Sequence, residues 1–330
     1  MRLKKWEGNP ILRPNPANEW EKLAVLNPGA YYHDGKVYLL YRACGETADY
    51  VIYMGLAEST DGFHFERVSD EPVLAPSEDG FDAGCVEDAR IVRLGEWFYV
   101  TYAARAFPPC AFWAGKRRKS VPAETPTWTR NWTRTGLARS KDLRTFERLG
   151  PITGDDVDDR DVIIFPEKVN GRYVMLRRPQ QWVGEEYGTD VPGIWIAWSD
   201  DLLNWEDDEL IATARFPWEG QKVGGSTPPI KTDDGWLTLY HGVGGDTYRV
   251  GVMMLDLENP RRIVARAPDF IMEPEAKFEK EGLVNNVVFP CGNAVIGDEI
   301  FVYYGGADAV CCVATAKLDE LVGYVMRYRT

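Results

Sequence analysis

The sequence predicts an all-β chain, a five-bladed β-propeller with four-stranded blades around a central channel. Three observations predict it. A strand–turn–strand unit recurs five times, each copy turns on a glycine, and helical periodicity is nearly absent. The turn glycines stand at 35, 95, 171, 235 and 297, in steps of 60, 76, 64 and 62 residues. Pairs such as Asp34-Gly35, Asn170-Gly171 and Gly297-Asp298 supply the positive φ that a two-residue hairpin loop needs.

The five copies cover 28–41, 89–102, 165–176, 229–240 and 292–304. A third strand and an edge follow the hairpins. The first has Met54-Gly55-Leu56-Ala57 with Phe63-His64-Phe65, the second Thr135-Gly136-Leu137-Ala138 with Thr145-Phe146, the third Ile194-Trp195-Ile196-Ala197 with Asn204-Trp205. Segment 9–14 is similar to 71–76, so it is expected to complete the last blade and close the ring. Closure removes free sheet edges, which keeps a ring-rich β chain from pairing with its neighbours. Two β-sandwich domains are the alternative, but the repeat crosses every boundary they would need and no linker is visible. Residues 1–330 therefore read as one domain, with an insertion at about 107–134 in blade two.

Composition narrows the partners. With 12 Trp and 16 Tyr, the chain can fill a large core or stack rings on the C–H face of a sugar. A formal charge of −13 argues against nucleic acid and anionic membranes. Any anionic ligand then needs a local cluster of Arg and Lys. The first residues, Met1-Arg2-Leu3-Lys4-Lys5, carry charge without an apolar signal core, so a cytoplasmic location is expected. Six cysteines without a CxxC pair read as buried thiols, and neither a metal nor another cofactor is expected. The sequon Asn131-Trp132-Thr133 then carries little weight. A homo-oligomer is compatible with all of this.

The repeat register points to a site. The position after the aromatic that ends each second strand reads Arg42, Ala103, Arg178, His241 and Gly305. Equivalent positions on inner strands ring one depth of a channel, and here they differ sharply, with three donors for an anion. The starts of the inner strands read Leu26-Asn27-Pro28, Glu87-Asp88-Ala89, Phe165-Pro166-Glu167, Ser226-Thr227-Pro228 and Pro290-Cys291-Gly292. One copy alone places carboxylates there. Asp88 is either a proton-transfer group or half of an ion pair with Arg90, two residues on. Arg160 and Lys222 precede Arg178 and His241 by 18 and 19 residues, so these four can converge from adjacent blades into a phosphate cradle.

Val86-Glu87-Asp88-Ala89-Arg90-Ile91, Phe165-Pro166-Glu167-Lys168, Met175-Leu176-Arg177-Arg178-Pro179, Ser226-Thr227-Pro228-Pro229, Leu239-Tyr240-His241-Gly242 and Tyr303-Tyr304-Gly305-Gly306-Ala307-Asp308 resemble the β-mannoside phosphorylases of glycoside hydrolase family 130. The resemblance runs from about Asn9 to Leu321. It implies a five-bladed propeller that cleaves β-mannosides with inorganic phosphate as co-substrate and inversion, giving α-mannose 1-phosphate and a shortened sugar. It makes Asp88 the general acid, acting through the mannose 3-hydroxyl. Arg160, Arg178, Lys222 and His241 match phosphate-binding positions, and Asn27, Arg42 and Asp308 match residues that hold the mannose. A hydrolase on the same fold and a non-catalytic sugar-binding propeller are the alternatives. Ala89 stands where the family pattern has proline, and the 107–134 insertion reads as a solvated loop or subunit contact, or as a lid or acceptor-site wall.

Overall fold

The computed structural model describes residues 1–116 and 123–330, so Arg117, Arg118 and Lys119 of the insertion's basic run lie outside the described residues. Strand β1 (Lys4–Lys5) precedes a first meander of β2 (Ala24–His33), β3 (Lys36–Cys44), β4 (Ile52–Ser59) and β5 (Glu66–Arg67). The second comprises β6 (Cys85–Leu94), β7 (Trp97–Arg105), β8 (Arg134–Ser140) and β9 (Glu147–Pro151). One parallel bridge, Ile52 to Cys85, joins these two into a single sheet. The third comprises β10 (Asp159–Ile164), β11 (Tyr173–Pro179), β12 (Ile194–Ser199) and β13 (Glu206–Ala212). In the fourth, β14 (Lys222–Gly225) and β15 (Ile230–Thr232) share β16 (Gly235–Gly244), followed by β17 (Thr247–Leu255) and β18 (Ile263–Arg266). The prolines at 228 and 229 separate β14 from β15, because proline has no N–H for the ladder. The fifth is β19 (Val288–Ile296), β20 (Glu299–Gly306) and β21 (Val310–Lys317). The chain is mostly β, as the repeats predict, and all five turn glycines have positive φ.

Five apolar cores join these meanders in sequence. Leu40 and Leu56 pack with Val86 and Ile91 between the first and second, and Val92 and Leu137 with Ile164 and Met175 between the second and third. Ile163 and Leu176 meet Trp236 and Met253, while Leu237 and Val252 meet Val288 and Val302. The last core returns to the start, with Phe301 and Tyr303 against Val25 and Leu39. These residues are almost wholly buried, and at roughly 1.5–3 kcal/mol per large apolar side chain such cores supply most of the drive for assembly.

Two sequence expectations change in detail. The N-terminal segment does join the last sheet, but its strand is β1, with Lys4 opposite Thr315; within 9–14 only Leu12 makes a bridge, to Cys311. The first strand of the third meander is β10, not a strand beginning at Phe165. Residues 165–171 instead form the long turn between β10 and β11, which moved the expected strand start too far along the chain.

A buried clamp recurs behind the positions that the register singles out. Tyr41, Tyr102, Tyr240 and Tyr304 donate their hydroxyls to Glu21, Asp82, Glu219 and Glu279 at 3.0, 3.0, 2.7 and 2.7 Å. Each carboxylate also pairs with a cation, respectively Arg67, Arg148, Arg266 and Lys5. Glycines 55, 136 and 251 lie opposite the first three tyrosines, where an added Cβ would sit 2.3–2.5 Å from the ring. The glycine of the recurring third-strand motif is therefore a seat for a tyrosine ring. In the third meander Arg177 takes the tyrosine's place and pairs with Asp159 and Asp208.

The insertion carries two short helices, α1 (Pro109–Trp113) and α2 (Pro126–Thr129). All six cysteines are free; five are buried, and Cys110 of α1 is half-buried. Among the described residues, no helix is long and apolar enough to cross a membrane.

Candidate active site

The cross-strand register places the ring residues at one level. Arg42, Ala103, Arg178, His241 and Gly305 stand opposite Leu26, Glu87, Arg160, Gly224 and Phe289. In the first three inner strands the pairing slips immediately afterwards, through bulges beyond Leu26, Glu87 and Arg160. The next residues, Asn27, Asp88 and Asp161, adopt φ of 45, 56 and 53°. Asn and Asp tolerate this left-handed conformation better than most residues. A bulge redirects a side chain that strict alternation would send elsewhere, so three polar groups turn together into one cavity.

That cavity has a volume of about 150 Å³. Its walls include Asn27, Arg42, Asp88, Arg160, Arg178, Lys222 and Asp308, which are seven of the eight residues the sequence singles out. His241 is the exception. It is wholly buried behind the wall, with Nε2 3.5 Å from Asp161 Oδ2 and Nδ1 3.4 Å from Ser226 Oγ.

One side of the cavity holds the carboxylates. Asp88 Oδ1 accepts from Asn27 Nδ2 at 2.9 Å and from Arg42 Nη1 at 3.2 Å. The same Nη1 lies 2.8 Å from Glu87 Oε2. Both donors address Oδ1 rather than Oδ2. The bulge also overturns the expectation that Arg90 pairs with the Asp88 carboxyl. Arg90 donates instead to the Asp88 backbone carbonyl at 2.8 Å, and its guanidinium lies 3.3 Å from Asp161. Gly305 faces Asn27 so closely that an added Cβ would sit 2.1 Å from Asn27 Oδ1, so only glycine leaves that amide its place. Burial raises the pKa of Asp308 to about 6, with Arg42 opposing and Asp88 and Glu87 reinforcing the rise.

The other side is cationic. Arg160 is held by Asp158 at 2.9 and 3.1 Å, and Arg178 Nε donates to Asp161 Oδ2 at 2.5 Å. Lys222 Nζ donates to the Tyr248 hydroxyl at 2.7 Å, the hydrogen bond its ammonium makes to a neighbouring side chain. Burial and the charge of Arg178 bring the Lys222 pKa down to about 8 against the pull of Asp161. Burial likewise lowers His241 to about 3 despite Asp161, so the imidazole is neutral. Of thirteen buried side-chain polar atoms without a partner among the described residues, four belong here: Arg178 Nη1, Arg42 Nε, His241 Nε2 and Asn27 Oδ1. Arg178 Nη1 and Arg42 Nε are donors and Asn27 Oδ1 is an acceptor; an unpaired buried polar atom costs about 1–3 kcal/mol, so their clustering marks a place built to receive a hydrogen-bonding ligand.

Sequence reasoning missed Asp161, Tyr248 and Phe289, all on the cavity wall. Asp161 sits in a run already singled out for Arg160, and the register pairing Arg160 with Arg178 would have exposed it as the third meander's counterpart of Asp88. Tyr248 comes from a third strand, which the comparison of second strands did not reach. Gly224 completes the cradle, since a Cβ there would lie 2.5 Å from Asp161 Oδ2 and 2.8 Å from Arg178 Nε.

A second cavity, of about 520 Å³, shares Arg42, Asp88, Arg160, Val284 and Asp308 with the first. Its remaining wall includes Tyr50, Arg105 and Leu283, and Pro109, Cys110 and Trp113 of α1. The insertion therefore borders the site.

Known proteins resemble this chain along almost its whole length. A family model described as β-1,4-mannooligosaccharide phosphorylase, glycoside hydrolase family 130, matches residues 2–327. The chain is 39% identical to a 1,2-β-oligomannan phosphorylase of Thermoanaerobacter sp. (strain X514), over 97% of this chain and 99% of that one. It is 36% identical to a β-1,2-mannobiose phosphorylase of the same organism, again over 97% and 99%. Among solved structures, the Listeria innocua β-1,2-mannobiose phosphorylase in complex with β-1,2-mannobiose superposes with a TM-score of 0.82 at 27% identity, covering 98% of this chain and 99% of that one. With a bulged carboxylate facing a basic cradle and a family match along almost its whole length, the chain belongs to glycoside hydrolase family 130.

Proposed function

We propose that the protein is a β-mannoside phosphorylase that transfers a mannosyl group to inorganic phosphate with inversion, releasing α-D-mannose 1-phosphate and a shortened sugar. The observation that carries this reading is the buried, unpartnered Arg178 Nη1 on a cavity wall with Arg160 and Lys222, in the cavity that holds Asp88. In a chain of charge −13, three cations gathered at one cavity call for an anionic ligand. Phosphate held against them is oriented and partly desolvated, and its attacking oxygen takes the place of the water and second carboxylate of an inverting hydrolase. The phosphate oxygen forms a bond to the anomeric carbon as the glycosidic C–O bond breaks. Asp88 supplies the proton that the leaving oxygen takes up, relayed through the mannose 3-hydroxyl. Asn27, Arg42 and Asp308 hold the mannose, and Arg160, Arg178 and Lys222 hold the phosphate. His241 lies behind them, 3.5 Å from the Asp161 carboxylate that aims Arg178.

The five meanders read as the blades of one five-bladed propeller, a single domain. The support is the succession of five inter-sheet cores, the last of which joins the fifth meander to the first. The reaction as read needs phosphate and no other cofactor, and a sugar phosphate product suits a cytoplasmic enzyme. The relatives matched over 97% of this chain carry β-1,2 names, which favours β-1,2-linked mannosides over β-1,4. Product analysis with and without phosphate tests the proposal. Mannose 1-phosphate should form from β-1,2-manno-oligosaccharides only when phosphate is present. Mannose released at the same rate without phosphate would mean a hydrolase, and no turnover of any mannoside a binding protein.

A further inference from the structure

We infer that Trp113, carried by the insertion in the second meander, is the stacking platform for the acceptor-side sugar, the part of the mannoside that leaves. The inference rests on the phosphorylase reading for the identity of the ligand. Its physical basis is independent of that reading.

Five large hydrophobic side chains are exposed among the described residues, and three of them, Trp113, Leu283 and Val284, line the 520 Å³ cavity beside Asp88. Trp113 is 78% exposed, whereas its helix neighbours Ala111 and Phe112 are buried. The helix thus spends its apolar packing on the two neighbours and presents the indole outward. Exposed apolar surface concentrated at a cavity rim marks a binding surface more than a packing defect. An indole face suits the C–H face of a pyranose, and the polar wall of Arg42, Asp88 and Asp308 meets its hydroxyls.

The platform is held in place. Asn131 pins the base of the insertion by accepting from the Phe107 N–H at 3.0 Å and donating to the Phe107 carbonyl at 2.9 Å. The Phe107 ring stacks on Phe112 at 6.0 Å and meets Trp128 edge-on at 6.2 Å. Past the helix, Lys116 reaches Asp49 at 2.9 Å, tying the insertion to the loop that carries Tyr50 of the same cavity wall. A fixed platform loses little freedom on binding a sugar. Val284 is common to both cavities and the smaller one adds Val287 and Phe289, but Trp113 lines the larger cavity alone, so the indole is offered to the leaving sugar and not to the phosphate.

The test is Trp113→Ala against the wild type in the synthetic direction, with α-mannose 1-phosphate as donor and mannose and β-1,2-mannobiose as acceptors. The acceptor KM should rise about five- to tenfold, the loss expected for one ring stack, with the KM for α-mannose 1-phosphate and for phosphate unchanged. Trp113→Tyr keeps a ring and should restore most of the affinity. An unchanged acceptor KM, an equal rise for phosphate, or a change of oligomeric state in place of a KM effect would overturn the inference. If the wild type forms no disaccharide at all, the phosphorylase reading fails. Calorimetric titration of manno-oligosaccharides into both proteins then decides the role of Trp113 by itself, with weaker binding by the alanine variant expected and equal binding refuting it.

Discussion

Lys222 offers the cleanest perturbation of the cradle, because its ammonium can be removed without orphaning a buried acid. Arg160 and Arg178 are each locked to a carboxylate, Asp158 and Asp161, so truncating either strips a buried carboxylate of a partner and confounds binding with stability. Among the described residues the Lys222 ammonium donates to the Tyr248 hydroxyl and to no carboxylate, and Lys222→Met keeps the length and the apolar stem. A hydrogen bond to a charged group contributes about 1.5–3 kcal/mol, so kcat/KM for phosphate should fall roughly 10- to 150-fold. The mannoside KM should change less than threefold. The pH dependence adds a signature. A pKa lowered to about 8 means the ammonium loses its proton as pH rises through 8, so wild-type phosphate use should decline above that pH. Phosphate titrates identically in both proteins, so the ratio of wild-type to variant kcat/KM isolates the lysine; it should be large at pH 6–7 and shrink toward one above pH 9. Initial rates at varied phosphate and saturating mannoside measure this. A ratio that stays constant across pH, or a loss shared equally by mannoside and phosphate, would remove Lys222 from the anion site.

Other outcomes follow from the same geometry. Asp88→Asn should lower kcat by about 10²–10⁴ in phosphorolysis while leaving the thermal melt near the wild type; activity within tenfold would exclude it as the acid. Gly305→Ala places a methyl 2.1 Å from Asn27 Oδ1, so the displaced amide should raise the mannoside KM and cost roughly 1–3 kcal/mol of stability, readable by denaturant unfolding. Tyr240→Phe removes the hydroxyl held by Glu219 and Arg266, and should lower Tm by several degrees, from a loss of about 1–3 kcal/mol. An unchanged melt would mean that the recurring clamp contributes nothing to the fold.

The repeats made most of the fold readable, because each turn glycine and each aromatic strand end answers to a local rule that one sequence displays five times. The same register located Arg42, Arg178 and His241. It failed where the chain departs from regular pairing. Strict alternation put Arg90 on the face of Asp88, yet the bulge after Glu87 turns Asp88 away from it, and such a slip leaves no mark in hydrophobic periodicity. The long turn between β10 and β11 hid Asp161 by shifting the third copy's alignment. His241 shares its register position with Arg42, yet its imidazole packs against Gly224 and is wholly buried, outside the cavity wall. Gly55 and Gly136 recur in the third-strand motif, but only three-dimensional contact shows that they seat tyrosines.

A crystal structure at saturating inorganic phosphate tests the central claim most directly. The account predicts one anion bonded to Arg178 Nη1 and Lys222 Nζ, near Arg160, in the cavity that Asp88 shares. Phosphate bound elsewhere, or that cavity without an anion at a concentration supporting turnover, would contradict it.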